Sequence, residues 1–264
     1  MVRLILLIVS VSSLAVFSFN TNEPTATGEP AVISENKLFF EISEEDHFLL
    51  NVRFCEDTLP LLKPHVAKRY HNEVRNYNHP SFWKQKSRVE KNLKVIAPIL
   101  KEYGIPSDLK YIPIVESGLD AEAISPRGAG GYWQLMPNTA RSLGLIVTDS
   151  LDERKNLVKS THAAARYLKG LHKQLGDWTL VAAAYNAGPN RLASRINQQI
   201  ETDYYDLKLN SETAKYVYKL VAVKEWLNEP KRSRLWVNSE IFARCEKINQ
   251  YRQQESLPLA ANKS

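Results

Sequence analysis

"YIPIVESGLDAEAISPRGAGGYWQLMP", Tyr111 to Pro137, puts a single carboxylate, Glu116, at the close of an apolar run and then enters a stretch rich in glycine. The pattern predicts a helix from 107, with Ser107 as its cap and Asp108 favourable in its first turn. On that helix Leu109, Ile112 and Glu116 fall at i, i+3 and i+7, so the carboxylate shares a stripe with apolar contacts. A carboxyl group on a core-facing stripe loses hydration, which disfavours its charged form and raises its pKa. A general acid working near neutral pH needs such a shift. Pro113 removes one backbone donor inside this helix and Gly118 ends it, an irregular terminus that suits a cleft. This placement alone does not mark a catalytic acid, because a Glu near a helix end is usually exposed or paired.

The neighbours add to it. Ser125-Pro126 is followed by Gly128, Gly130 and Gly131, and then by Tyr132-Trp133-Gln134. Glycines let backbone pass close to a ligand. The aromatics can stack on sugar faces, although Trp133 also reads as a core residue, and Gln134 offers a donor and an acceptor to hydroxyls. "AAAYNAGPNR" sets Tyr185 and Asn186 at a helix end, where polar tips can face a groove. "SETAKY" sets Glu212 and Tyr216 at i and i+4, on one helix face.

In their order and spacing, "ES" at 116–117, "SPRGAGGYWQLMP" at 125–137, "AYNAGP" at 184–189 and "ET..Y" at 212–216 resemble the lytic transglycosylases with a lysozyme-like SLT catalytic domain. The resemblance spans about residues 95–228, and "VESGLD" preceded by "LKYIPI" looks most like the membrane-bound D type. It implies a mainly α, lysozyme-like fold and cleavage of peptidoglycan strands between N-acetylmuramic acid and N-acetylglucosamine. It also implies roles. Glu116 is the single catalytic acid and then base. Ser125 sits near the N-acetyl group or the forming anhydro sugar, Gln134 and Met136 line the glycan groove, and Tyr185 and Asn186 shape the site at the cleaved bond. Tyr216 hydrogen-bonds and orients Glu116, with Glu212 facing the groove. No cofactor or metal is implied. Two departures stand out: Tyr132-Trp133 replaces a smaller or more aliphatic pair, and no wall-binding repeat follows the catalytic region.

Two competitors stay open. A hydrolytic muramidase on the same fold needs a second carboxylate, for which Asp120, Glu122 and Glu212 are the candidates. A wall-binding protein without activity keeps the fold alone. Other chemistries lack their patterns. The six histidines show no H-E-x-x-H or tetrahedral metal spacing, "GAGG" lacks the lysine of a phosphate loop, and no G-x-S-x-G elbow is present.

Around this region the chain of 264 residues divides readily. Residues 1–20, with Arg3 before an apolar run, read as a secretory signal peptide or a retained N-terminal anchor, which implies an exported protein of the periplasm or cell envelope with membrane association through its N-terminus. Residues 21–45, rich in Pro, Thr and Glu, read as a linker. A helical extension covers 46–94, and the helical pattern continues to about 102 in a segment that Pro98 kinks or divides and Gly104 stops. The catalytic domain covers 95–228. Asn138 caps a short helix, Asp152 to Leu175 form a longer one, Asp177 caps "WTLVAAAYN", and "SETAKYVYKLVAVKEWLN" runs to Pro230. A short hairpin fits within 124–136. The basic and polar tail, 229–264, carries no clear pattern. Cys55 and Cys245 either pair or stay separate buried thiols. His65 and His71 read as lying on a solvated helix, His162 and His172 as core histidines. The formal net charge of +6 favours anionic partners such as wall polymers, and the scatter of basic residues argues against nucleic acid.

Overall fold

The computed structural model describes residues 43–256. The signal or anchor at 1–20, the linker up to residue 42 and the end of the tail, 257–264, lie outside the described residues. The assigned linker runs into the first helix, α1 (Glu44–Leu50), which Ser43 opens with a capping box shared with Asp46. A two-stranded antiparallel hairpin follows, β1 (Arg53–Phe54) and β2 (Asp57–Thr58), inside the extension read as helical. Asp108 explains it, since its Oδ2 accepts the backbone N–H of Cys55 at 2.7 Å and the ammonium of Lys224 at 2.6 Å.

The remaining elements are helical: α2 (Pro64–Tyr77), α3 (Pro80–Lys84), α4 (Lys86–Glu102), a 3₁₀ turn at Ser107–Tyr111, α5 (Ile112–Ser117), α6 (Pro137–Ser142), a 3₁₀ turn at Glu153–Lys155, α7 (Leu157–Leu175), α8 (Trp178–Ala187), α9 (Pro189–Gln199), α10 (Thr213–Asn228), α11 (Pro230–Val237) and α12 (Ser239–Ser256). Helix α10 is buried on nearly every side, from Tyr216 through Val221 to Trp226, and forms the axis of the core. Helices α2, α8 and α11 and the first 3₁₀ turn pack around it, and α7 is wedged between α4 and α8. The mainly α class expected from sequence is the class observed.

Several local expectations change. Ser107 makes no side-chain cap, because residues 107–111 wind as a 3₁₀ turn and a new helix begins at Ile112. Pro113 then sits in the first turn of α5, where its missing N–H would be unbonded anyway. Pro98 stays within α4 without dividing it. Pro137 takes the first position of α6, so Met136 is the cap residue and Asn138 accepts instead from the Arg141 guanidinium at 3.1 Å. The long helix starts at Leu157, capped by Asn156, because Asp152 opens the second 3₁₀ turn. Asp177 caps α8 as expected, accepting from Leu180 N at 2.6 Å. Residues 124–136 form isolated bridges, Ile124 to Gly130 and Gly130 to Leu135, and no ladder. Cys55 and Cys245 are separate thiols.

The tail is the largest departure. Helices α11 and α12 pack on α2, and the side chain of Trp236 is wholly buried. Trp236 donates to Leu49 O at 2.9 Å, Trp226 donates to Val74 O at 2.8 Å, and His71 Nδ1 donates to Trp236 O at 2.7 Å. His71 is therefore buried between α2 and α11 rather than solvated. A buried ion pair joins α10 to α11, with Arg232 donating to both Glu225 oxygens at 2.6 and 3.1 Å. Glu225 is 1 % exposed, so truncating Arg232 to Ala strands its charge. Arg232→Ala should cost about 3–5 kcal/mol in urea unfolding, and Arg232→Met with Glu225→Leu should restore most of it.

Candidate active site

Helix α5 ends on Glu116-Ser117, and Gly118 closes it in the left-handed conformation at φ 62°. The chain then doubles back through 119–136. Three devices hold this loop from behind. Trp133 is fully buried, with its indole N–H on Thr161 Oγ1 of α7 at 2.9 Å. Arg154, also buried, donates to Gly128 O at 2.7 Å and to Leu135 O at 2.9 Å while pairing with Asp152 at 2.7 Å. Gly131, at φ +70°, passes so close to Arg154 that a Cβ would lie 2.1 Å from its carbonyl oxygen. Trp133 therefore braces the loop as a core residue, the second of the two readings its sequence allowed, and cannot stack on a ligand; Tyr132 is partly exposed.

The loop, the end of α8 and the start of α10 enclose a cleft of about 580 Å³. Glu116, Ser125, Gln134, Met136, Tyr185, Asn186 and Glu212 all line it. Tyr216 lies beneath its floor and donates to Glu116 Oε1 at 2.5 Å. Tyr185 donates to Trp133 O at 2.6 Å, tying α8 to the loop. Asn186 is held between Glu212, to which it donates at 3.2 Å, and Thr213, from which it accepts at 2.8 Å. Ser125 Oγ accepts from Ala129 N at 3.0 Å. Gln134, at φ 49°, spends its amide protons on Ala123 O and Gly131 O at 2.9 and 3.0 Å, so only its carbonyl oxygen is free for a ligand. Met136 is exposed at the rim.

Burial pushes the Glu116 carboxyl up from 4.5 to about 7; the Tyr216 hydrogen bond opposes this, the charge of Glu212 adds to it, and Lys219 opposes it. Burial likewise drives Tyr185 and Tyr216 well above the ordinary phenol value, so both remain neutral donors. A carboxyl that keeps its proton to neutral pH, beside an open cleft and fixed by one phenol, can give up that proton and take one back. Removing the phenol alone, in Tyr216→Phe, leaves the carboxylate less stabilised. The alkaline limb of any activity should then move to higher pH and the rate at neutral pH fall about tenfold, read from kcat against pH.

The other carboxylates considered lie apart from this arrangement, except one. Asp120 accepts from Glu122 N, and Glu122 pairs with Lys155. Glu212 shares the cleft. Sequence reasoning missed Tyr167, Thr139, Arg127 and Arg191, which also line it. Tyr167 had a signal, an aromatic set off the buried stripe of α7, whereas the two arginines look like any surface cation.

A model of the Transglycosylase SLT domain matches residues 94–208, stopping short of Glu212 and Tyr216. The membrane-bound lytic murein transglycosylase D of Escherichia coli K12 is 39% identical over 150 residues, which is 55% of this chain and 33% of that protein. A putative tributyltin chloride resistance protein of Alteromonas is 33% identical over 116 residues, 44% of this chain and 56% of that one. The peptidoglycan transglycosylase gp16 of phage T7 is 39% identical over 101 residues, 37% of this chain and 7% of the phage protein. The chain thus spans about a third of the length of the first relative and about half of the second. Residues 94–208 thus match the transglycosylase SLT domain, and the chain is similar to a lytic murein transglycosylase of the membrane-bound D type.

Proposed function

We propose that the protein is a peptidoglycan lytic transglycosylase, with Glu116 as its only acid and base. The observation that carries this reading is the part-buried Glu116 carboxyl, its pKa pushed up to about 7, facing the cleft and held by Tyr216. Glu116 protonates the glycosidic oxygen as the bond from the muramic acid C1 to that oxygen breaks. The positive charge that develops at C1 is shared with the substrate's own acetamido group. The muramyl 6-hydroxyl then attacks C1 and passes its proton to the Glu116 carboxylate, which regenerates the acid. One bond breaks, one forms, and the proton returns to its source, so the product carries a 1,6-anhydro ring and no water is consumed. An intramolecular hydroxyl has a high effective concentration, which removes the need for a base-activated water.

In this reading Tyr216 positions Glu116, and Tyr185, Asn186 and Ser125 shape the site at the cleaved bond. Gln134 and Met136 border the strand, and Glu212 holds Asn186. Arg127 and Arg191 give the cleft a positive lining for a polyanionic wall polymer. The protein works in the cell envelope, exported by its N-terminal segment or held there by it. Glu212, the other acid of the cleft, favours a second reading, hydrolysis by two carboxylates. Mass spectrometry of muropeptides released from purified peptidoglycan separates the two. Anhydromuramyl ends support transglycosylation, reducing muramic acid ends support hydrolysis, and no release sinks both.

A further inference from the structure

Beside the cleft lies a second, unassigned pocket of about 400 Å³, lined by Arg69, Asn72, Glu73, Arg75 and Asn76 of α2 and by Lys215 of α10. Lys215 stands three residues after Glu212, so the two neighbour each other on the surface of α10, one in the pocket and one in the cleft. Asn76 also lines a smaller hollow that reaches Gly118, two residues beyond Glu116. The pocket therefore adjoins the cleft that holds Glu116.

Its chemistry is mixed in a particular way. Two guanidinium groups and an ammonium offer donors for a carboxylate. Glu73 is only 4 % exposed, yet among the described residues no cation pairs with it, and its recorded donor is the Asn76 amide at 3.3 Å. A buried carboxylate without a cation is costly to keep, and it suits a site that receives one. Asn72 and Asn76 supply amide donors and acceptors of the kind that read a peptide backbone. A phosphate or lipid headgroup meets the three cations but is repelled by Glu73. A plain ammonium meets Glu73 but is repelled by the cations. Only a ligand carrying both charges close together satisfies the whole lining.

From this we infer that the pocket formed by α2 and Lys215 is a peptide subsite that takes a zwitterionic amino-acid centre, with an ammonium and a carboxylate on one carbon, at the end of a peptide borne by the glycan. The inference rests on the peptidoglycan reading above and names the part of the substrate that α2 reads. Glu73 accepts from the ammonium, Arg75 and Lys215 donate to the carboxylate, and the asparagines engage the peptide groups.

Two synthetic tripeptides, L-Ala-γ-D-Glu followed by either meso-diaminopimelate or L-lysine, differ by one carboxylate on the ammonium-bearing carbon. Titrated calorimetrically into the full chain, the diaminopimelate peptide should bind at least tenfold more tightly. Lys215→Ala, on an exposed site, and the isosteric Glu73→Gln should each remove most of that preference. On peptidoglycan strands, Lys215→Ala should raise KM severalfold with kcat little changed, and should leave KM unaltered on strands stripped of peptide by an amidase. Equal binding of the two tripeptides, or an unchanged preference in both variants, overturns the inference. If peptidoglycan is not cleaved at all, the proposed function fails, and the tripeptide comparison still decides the subsite.

Discussion

Glu116→Gln should lose glycan cleavage by a factor of about 10³–10⁴ while keeping its affinity for undigested strands, measured as muropeptide release and as pelleting with insoluble peptidoglycan. Gln fills the same space and still accepts from Tyr216, so the cleft keeps its shape; only the transferable proton goes. Unchanged release would remove Glu116 from the mechanism. The same variant carries a second signature in stability. Because burial holds the Glu116 proton to about pH 7 rather than 4.5, the folded state binds that proton more tightly than the unfolded chain does. The wild type therefore keeps this group's full contribution below pH 4.5 and loses it as the pH climbs through 7. The loss is at most about 3 kcal/mol, and less to the extent that water reaches the carboxyl. Gln does not titrate, so the variant should gain on the wild type between pH 4.5 and pH 8, by several degrees in Tm. A gap between the two that does not vary with pH would show that the carboxyl is well hydrated, and the argument for an acid at neutral pH would go with it.

Gly131→Ala should be the most damaging alanine substitution among the described glycines. The added carbon would sit 2.1 Å from the Arg154 carbonyl oxygen and 2.4 Å from its carbon, both backbone atoms that no rotamer change can move. The φ of +70° adds about 1 kcal/mol for any residue with a side chain. Relief requires the loop to lift away from Arg154, which breaks the guanidinium bonds to Gly128 and Leu135. We expect a loss above about 4 kcal/mol by urea unfolding, together with activity lost in whatever fraction stays folded, because Ser125, Gln134 and Met136 all ride on this loop. Gly128→Ala makes the control. It shares a positive φ but has open space at its Cβ, so it should cost only about 1 kcal/mol. Equal losses from the two would mean that conformation, not the approach to Arg154, sets the requirement for glycine.

What could be read from the residues alone was local or periodic. Asp177 declares its helix by standing three residues before the N–H it caps, and the stripe Leu157, Thr161, Ala164, Leu168, Leu171 and Leu175 marks the inner face of α7, buried at its four middle positions. The i, i+3, i+7 stripe brought Glu116 to the core side even though the helix assumed for it is in fact a 3₁₀ turn and a short α-helix, since both geometries keep these positions on neighbouring faces. What escaped depends on partners far along the chain. Arg154 reads as a surface cation until the carbonyls of Gly128 and Leu135 are seen against it. His71 looked solvated because its acceptor, Trp236 O, is 165 residues away. Trp133 looked equally fit for a sugar or for the core, and only Thr161, waiting behind it, decides. The tail gave no pattern because α11 and α12 are mostly polar and bury a few residues each, Trp236 and Ile248 among them.

The seam between α1, α2 and the two closing helices has a consequence for how the chain is made. Leu49 and Asp46 find their partners in Trp236 and Arg244, the latter of which holds Asp46 at 2.7 Å. A ribosome delivers the first of these groups long before the last. During synthesis α1 and α2 emerge with an apolar flank and nothing to lay it on, and they must wait until α11 and α12 have been made. Contacts of such long reach slow the closing step, and a product truncated before Trp236 would leave that flank bare, a target for chaperones and proteases.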